Sequence, residues 1–357
     1  MKLNDILKKS VELKASDVHL KTGSAPLFRI MGNIERSNLD TLTKKDFESL
    51  LSDLNLNDYM LKKLEVEKQI DIGYGVSGVG RFRVNVFYQR GTLAAVFRYI
   101  PYDIPSIESL NLPKVVKKIS LRPRGLVLVT GITGSGKTTT LASMIGIINK
   151  TKKKNIITIE DPIEYLHKDE QSSIIQRQVG YDTIDFASGL KGALREDPDV
   201  ILIGEMRDRE TISTAIEAVE TGHLVMSTLH TVDAVETVNR IISSFPLDEQ
   251  QQIRIQLSGT IEAVISQRLI ERADGSGMVP AVEVMIASDF IRDAIKDSKR
   301  TNSDIKRSIE MNRDTYGTQS FDQSLIDLFN LKLITKDKAL EYASNPSDLQ
   351  LKMRGIM

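Results

Sequence analysis

The sequence predicts an α/β protein of two domains, a small α+β unit followed by a larger doubly wound α/β domain. Three observations predict it. An early segment alternates apolar and polar residues with period two. Prolines at Pro101, Pro105 and Pro113 then interrupt the chain. Beyond them, short β-branched runs alternate with amphipathic helical stretches, the pattern of a parallel sheet wrapped by helices.

Residues 1–100 make the predicted first unit. Its start, Met1 to Val11, mixes Lys2, Asp5, Lys8 and Lys9 with Leu3, Ile6 and Leu7. That is helical spacing, not the apolar block of a signal peptide. In a strand over residues 81–88, Phe82, Val84, Val86 and Tyr88 share one face, and Arg81, Arg83 and Asn85 share the other. Gln89-Arg90-Gly91 reads as a tight turn into a second apolar strand, Leu93 to Ile100, which carries Arg98. Residues 101–113 read as an extended linker, because proline breaks helices.

Residues 114–289 make the predicted second domain. Leu126–Thr130, Ile156–Ile159, Val200–Ile203 and Leu224–Ser227 read as strands buried on both faces. Leu141, Met144, Ile145 and Ile148 follow helical spacing. So do Ile212, Ala215, Ile216 and Val219, with Asp208 as N-cap and Gly222 as the stop. Residues 290–357 read as mostly helical with charged faces. Lys152-Lys153-Lys154 reads as a solvated loop.

Composition narrows the function. The chain has 357 residues, 41% hydrophobic and 27% charged, as in soluble globular proteins. Lys+Arg and Asp+Glu both number 48, which argues against a broad polyanion-binding surface. With 10 Phe, 9 Tyr and no Trp, a base-stacking groove is also disfavoured, so a nucleic-acid helicase or translocase is the weaker alternative and no nucleic-acid partner is expected. The absence of cysteine excludes disulfides, thiolate metal sites and cysteine nucleophiles. No run approaches the roughly 20 apolar residues of a membrane span. A cytoplasmic protein is expected.

Gly131-Ile132-Thr133-Gly134-Ser135-Gly136-Lys137-Thr138 fits the phosphate-loop pattern, between a buried strand and an amphipathic helix. The glycines let successive N–H groups curl around phosphate oxygens, and the helix adds its positive end. Thr133, Gly134, Ser135, Gly136, Lys137, Thr138 and Thr139 are the expected nucleotide contacts, with Lys137 on the β- and γ-phosphates and Thr138 on Mg²⁺. The loop does not itself distinguish ATP from GTP.

Ligands of open α/β sheets bind at the carboxyl ends of strands. Three such ends carry suggestive residues. Val200–Ile203 runs into Gly204-Glu205, and Glu205 is the expected Mg²⁺-supporting acid rather than a plain helix-start acid. Ile156–Ile159 runs into Glu160-Asp161-Pro162-Ile163-Glu164. There Glu164 either directs the attacking water or belongs to a solvated acidic turn, and the residues alone leave both open. Leu224–Ser227 runs into Thr228-Leu229-His230, where His230 either senses the γ-phosphate or is structural. Arg81 and Arg83 on one strand face read as a solvated face on exposure grounds alone.

Together these segments resemble the secretion-type ATPases of type II secretion and type IV pili, and most of all their pilus-retraction branch. The likeness covers almost the whole chain. The Walker A loop is Gly131–Thr138, the Asp box is Ile159–Glu164, the Walker B segment is Leu202–Asp208, and the His box runs from Thr221 to Thr231. Ser16-Asp17-Val18-His19-Leu20 resembles the early N-terminal signature. Gly80–Asn85 and Ala95–Arg98 resemble the arginine-bearing strands. A zero cysteine count and the expectation that no long extra N-terminal domain is present favour retraction over extension. Phe290–Asp297 keeps the periodicity and charge signs of the branch's C-terminal helix motif, with several identities changed.

The resemblance implies a PAS-like first domain, a RecA-like second domain and a homohexameric ring hydrolysing ATP with Mg²⁺. It implies Glu164 as the water-activating base, Glu205 as Mg²⁺ support, and Arg81, Arg83 and Arg98 acting on the nucleotide of a neighbouring subunit. Nucleotide would lie between the two domains. The motor would work on an inner-membrane pilus platform protein, at the cytoplasmic face of the inner membrane and through that partner only. A sister accessory-retraction, secretion or DNA-uptake motor is the alternative.

Overall fold

The computed structural model describes residues 2–297 and 302–354. The expected helical region over 290–357, and the helical start at Met1, therefore fall partly outside the described residues.

The chain divides into two compact units. The first is Met1–Ile104 with Glu160–His167 and Gln176–Asp185. It holds α1 (Leu3–Glu12), β1 (Asp17–Lys21), β2 (Leu27–Ile30), β3 (Asn33–Arg36), α2 (Lys44–Asp53), α3 (Asp58–Glu67), β4 (Gln69–Val76), β5 (Gly80–Gln89) and β6 (Thr92–Ile100). The strands form one antiparallel sheet in the order β3-β2-β1-β6-β5-β4. Period-two patterning places Phe82, Val84 and Val86 in the core with Phe28, Phe97 and the inner faces of α1 and α2. Tyr88 continues that face but lies at the rim, exposed beneath the Lys68 ammonium. The β5–β6 turn has Arg90 and Gly91 at φ 48° and 72°, the left-handed pair that two-residue hairpins need.

The second unit is Pro105–Ile159, Lys168–Ile175 and Phe186–Met357. Its elements are α4 (Val115–Ser120), β7 (Gly125–Thr130), α5 (Lys137–Thr151), β8 (Asn155–Glu160, to Ile159), β9 (Ser173–Gln178, to Ile175), α6 (Phe186–Ala193), β10 (Val200–Ile203), α7 (Arg209–Glu220), β11 (Leu224–Leu229), α8 (Ala234–Ser243), α9 (Gln250–Thr260), β12 (Ile261–Glu271) and β13 (Met278–Ile286). The helical tail is α10 (Asp289–Lys296), α11 (Asn302–Met311), α12 (Arg313–Tyr316), α13 (Phe321–Asn330), α14 (Lys336–Tyr342) and α15 (Pro346–Met353). The sheet order is β13-β12-β7-β11-β10-β8-β9. β12, β7, β11, β10 and β8 pair in parallel, while β12 and β13 form an antiparallel hairpin. Every residue of β7, β10 and β11 is buried, as the continuous apolar runs require. Asp208 caps α7 by accepting from Thr211 N–H at 2.8 Å.

The structure departs from the sequence reading in three places. Residues 101–113 are not a free linker, because Ile107 and Leu112 are buried in the second unit's core. The segments Glu160–His167 and Gln176–Asp185 group with the first unit, because their polar and apolar contacts lie there: Arg81 Nε donates to Ile163 O, Asn57 Nδ2 donates to Gly180 O, and Met60 packs on Gly180. The lysine run is solvated only in part, since Lys154 pairs with Asp199 at 2.7 Å.

Candidate functional site

The phosphate loop leaves β7 at Thr130 and turns at Gly131, Gly134 and Gly136, with φ of 143°, 80° and 89°. Gly131 is required twice over. Its φ is one that side chains avoid, and a Cβ there would lie 2.4 Å from the Gln267 carbonyl oxygen. Gly136 is the N-cap of α5 and offers no side-chain cap, whereas Asp208 and Asp233 cap α7 and α8. No side chain caps the opening turn of α5. Amides at the positive end of a helix dipole make an anion cradle. Lys137 is buried beside it, its ammonium donating to Gly131 O at 2.8 Å and Ile132 O at 3.1 Å. The Ser135 hydroxyl is buried with no hydrogen-bond partner among the described residues, while Thr133 and Gly134 are exposed.

Two neighbouring strand ends are joined by side chains. Beyond β10, Gly204 N–H donates to Ile159 O at 2.8 Å and Gly204 O accepts from Thr228 Oγ1 at 2.7 Å. This fixes the backbone from which Glu205 projects. Glu205 Oε2 lies 2.6 Å from Arg207 Nε and 3.4 Å from His230 Nε2. Glu205, Arg207, His230, Thr231, Glu236 and Arg240 line a cavity of about 430 Å³. The structure therefore brings Glu205 and His230 together.

In the first unit, Arg81 and Arg83 grip the Asp box. Arg81 Nε donates to Ile163 O at 2.7 Å and its Nη2 to Gln178 Oε1 at 3.3 Å. Burial lowers the affinity of Arg81 for its proton, and the nearby Glu160 opposes that. Arg83 Nη1 lies 3.3 Å from Glu164 Oε1 and its Nε 3.8 Å from Asp71. Arg98 stands opposite Arg83 in the β5–β6 ladder but pairs with the buried Asp17 at 2.9 Å. The Arg81–Arg83 face is thus occupied by the Asp box, and Glu164 pairs with Arg83.

The donors present fit a magnesium nucleotide. Thr138 supplies a hydroxyl at the cradle and Glu205 a carboxylate, while no group of three or more His, Cys, Asp or Glu occurs among the described residues. Mg²⁺ suits such a set, because it keeps most of its waters and shares one or two protein oxygens with phosphate.

Sequence reasoning missed the supports of the loop. Gln267, buried on β12, donates from its side-chain amide to Thr140 Oγ1 at 2.9 Å and so ties α5 to β12. Thr130 shares a 2.8 Å hydrogen bond with Ser266. The available signal was a polar pair, Ser266-Gln267, inside an apolar run.

Comparison with known proteins places the chain. The family model described as type II/IV secretion system protein matches residues 1–310. The type IV pilus retraction ATPase PilT of Pseudomonas aeruginosa is 43% identical over 348 residues, covering 98% of this chain and 100% of that protein. The type IV pilus ATPase PilU of the same organism is 36% identical over 356 residues, covering 99% and 92%. A crystal structure of the pilus retraction motor PilT with bound ADP superposes with a TM-score of 0.87 at 46% identity, covering 98% of this chain and 99% of that one. No helix among the described residues is long and apolar enough to cross a membrane. The chain belongs to the type II/IV secretion system protein family.

Proposed function

We propose that this chain is a Mg-ATP-hydrolysing motor of the pilus-retraction type, working as a cytoplasmic homohexamer on an inner-membrane pilus platform protein. The observation that carries the reading is the uncapped, glycine-lined start of α5 with Lys137 buried beside it. The ATPase relatives and the ADP-bound neighbour support it. We read the first unit as PAS-like and the second as RecA-like.

In this reading, the loop amides and Lys137 hold the phosphates, Lys137 exchanging its two carbonyl acceptors for phosphate oxygens. Thr138 and Glu205 would hold Mg²⁺, which when bound would offset charge on the transferring group. Glu164 accepts the proton of the attacking water, and Arg83 orients its carboxylate. His230 reports loss of the γ-phosphate to the surrounding structure, with the Glu205 carboxylate 3.4 Å from its imidazole. Arg81, Arg83 and Arg98 also act on the nucleotide of the neighbouring subunit. ATP and ADP favour different arrangements of the protein, and that difference in affinity is what converts hydrolysis into motion.

The test is Mg-dependent phosphate release followed against protein concentration, with assembly size measured in parallel. Turnover that rises with sixfold rings is the expected result, and turnover by a monomer refutes the assembly claim. The match to PilU favours a second reading, an accessory retraction motor. Deleting the gene separates the two, since pili that persist but cannot retract mark the principal motor and normal retraction excludes it.

A further inference from the structure

The stretch from His230 to Asp233 rests on a buried polar seam. Thr130, the residue before the phosphate loop, bonds Ser266 of β12 at 2.8 Å. Thr237 of α8 reaches Thr130 at 3.5 Å and bonds Thr231 at 2.6 Å. All four are buried. At the far end of the seam, the first amide of α8, Ala234 N–H, donates to Glu283 Oε1 of β13 at 2.8 Å. Glu283 faces Ser266 across the β12–β13 ladder and is itself buried. Asp233 caps α8 through Glu236 N–H at 2.7 Å, and Lys306 of α11 pairs with Asp233 at 3.0 Å.

A carboxylate at this depth is expensive for the fold. Ala281 and Met285, which share its strand face, are apolar and buried, so packing alone does not call for an acid. The acid accepts from the first amide of α8, and four residues earlier the His230 imidazole lies 3.4 Å from Glu205.

We infer that Glu283 is a positioning residue for ATP turnover, holding the start of α8 so that the loop carrying His230 stays in register with Glu205. The inference rests on the ATPase reading above. Charge gives it a distinctive signature. Burial pushes Glu283 up to about 7. The Ala234 amide opposes that rise, Asp233 at the start of α8 adds to it, and Lys306 on α11 and Arg268 on β12 oppose it. The ionised carboxylate is the stronger acceptor and the better partner for a helix N-terminus. The loop is therefore held firmly above that point and loosely below it.

The experiment uses the full chain and measures initial rates of phosphate release from Mg-ATP between about pH 5.5 and 8.5, a range spanning the titration of such a group. Wild type, Glu283→Gln and Lys306→Met are compared. For wild type, kcat should fall at least about threefold on acidification through neutrality, with KM for ATP held within about twofold, as for an interaction that acts on the chemical step. In Glu283→Gln that step should vanish, leaving a flat kcat between the wild-type extremes. In Lys306→Met, which removes a cation facing Glu283, the midpoint should move to higher pH. An unchanged profile in Glu283→Gln, or a loss expressed only in KM, overturns the positioning role. Should Glu283→Gln fail to fold, an unmoved midpoint in the surface variant Lys306→Met overturns it equally. Absence of wild-type turnover at every pH overturns both this role and the ATPase reading, whereas wild-type turnover with unmoved variant profiles overturns this role alone.

Discussion

The phosphate loop and the arginine face of β5 are built in opposite ways. At the loop, the proposed function rests on backbone. Gly131, Gly134 and Gly136 adopt left-handed conformations, and the amides that open α5, which no side chain caps, are the proposed phosphate donors. At the arginine face, the proposed function rests on long side chains that reach across the chain, Arg81 to Ile163 O and Arg83 to Glu164. Backbone sites are written locally, in a stretch of eight residues. Side-chain sites are written only by the fold that brings distant residues together. The first region should therefore fail abruptly when altered, and the second by degrees.

The largest effect is expected at Lys137. Replacing it with alanine removes the one buried cation of the cradle and should lower kcat by about 100-fold or more, the cost of losing a preorganised charge-stabilising donor. Phosphate-release assays on folded Lys137→Ala measure it. A loss of less than about tenfold would mean that charge at the loop matters little and would dissolve the contrast.

Next is Gly131→Ala. Its φ of 143° and the Gln267 carbonyl 2.4 Å from a new Cβ leave no room to yield, because the obstructing atom is backbone. Destabilisation of about 2 kcal/mol or more is expected, in the range for a strained backbone residue, read from the denaturation midpoint. Unchanged stability would show that the loop is not held against β12.

The smallest effect is expected at Arg83. Arg83→Ala should reduce kcat about tenfold, since Glu164 keeps its place on the chain but loses its orienting partner. Mixing this variant with Lys137→Ala sharpens the point. If Arg83 also serves the neighbouring subunit, mixed rings regain activity, because an intact cradle meets an intact arginine. If Arg83 acts only through the Glu164 of its own chain, mixing restores nothing.

The same contrast governs what could be read in advance. The strand–loop–helix of residues 126–148, the Asp208 cap and the 89–92 hairpin turn were legible, since each is fixed by neighbours within a few positions. The β12–β13 hairpin was not read, although Ile261–Ile270 is strongly apolar; its partner strand lies beyond an exposed turn and carries the buried Glu283 in mid-run. Glu283, Ser266 and Thr130 have no local meaning, because each is explained by a partner on another element. Arg81 and Arg83 were identified as a pair, but their hold on the Asp box depends on contacts some eighty residues away. The grouping of Glu160–His167 with the first unit is the same lesson at larger scale.

The central claim is that uncapped amides at the start of α5 take the phosphates. Hydrogen–deuterium exchange of a peptide covering residues 131–141, with and without Mg-ATP, tests it most directly. Those amides have no side-chain cap in this structure and should exchange readily, then slow sharply when nucleotide is added. Nucleotide turnover accompanied by unchanged exchange across that peptide would contradict the account.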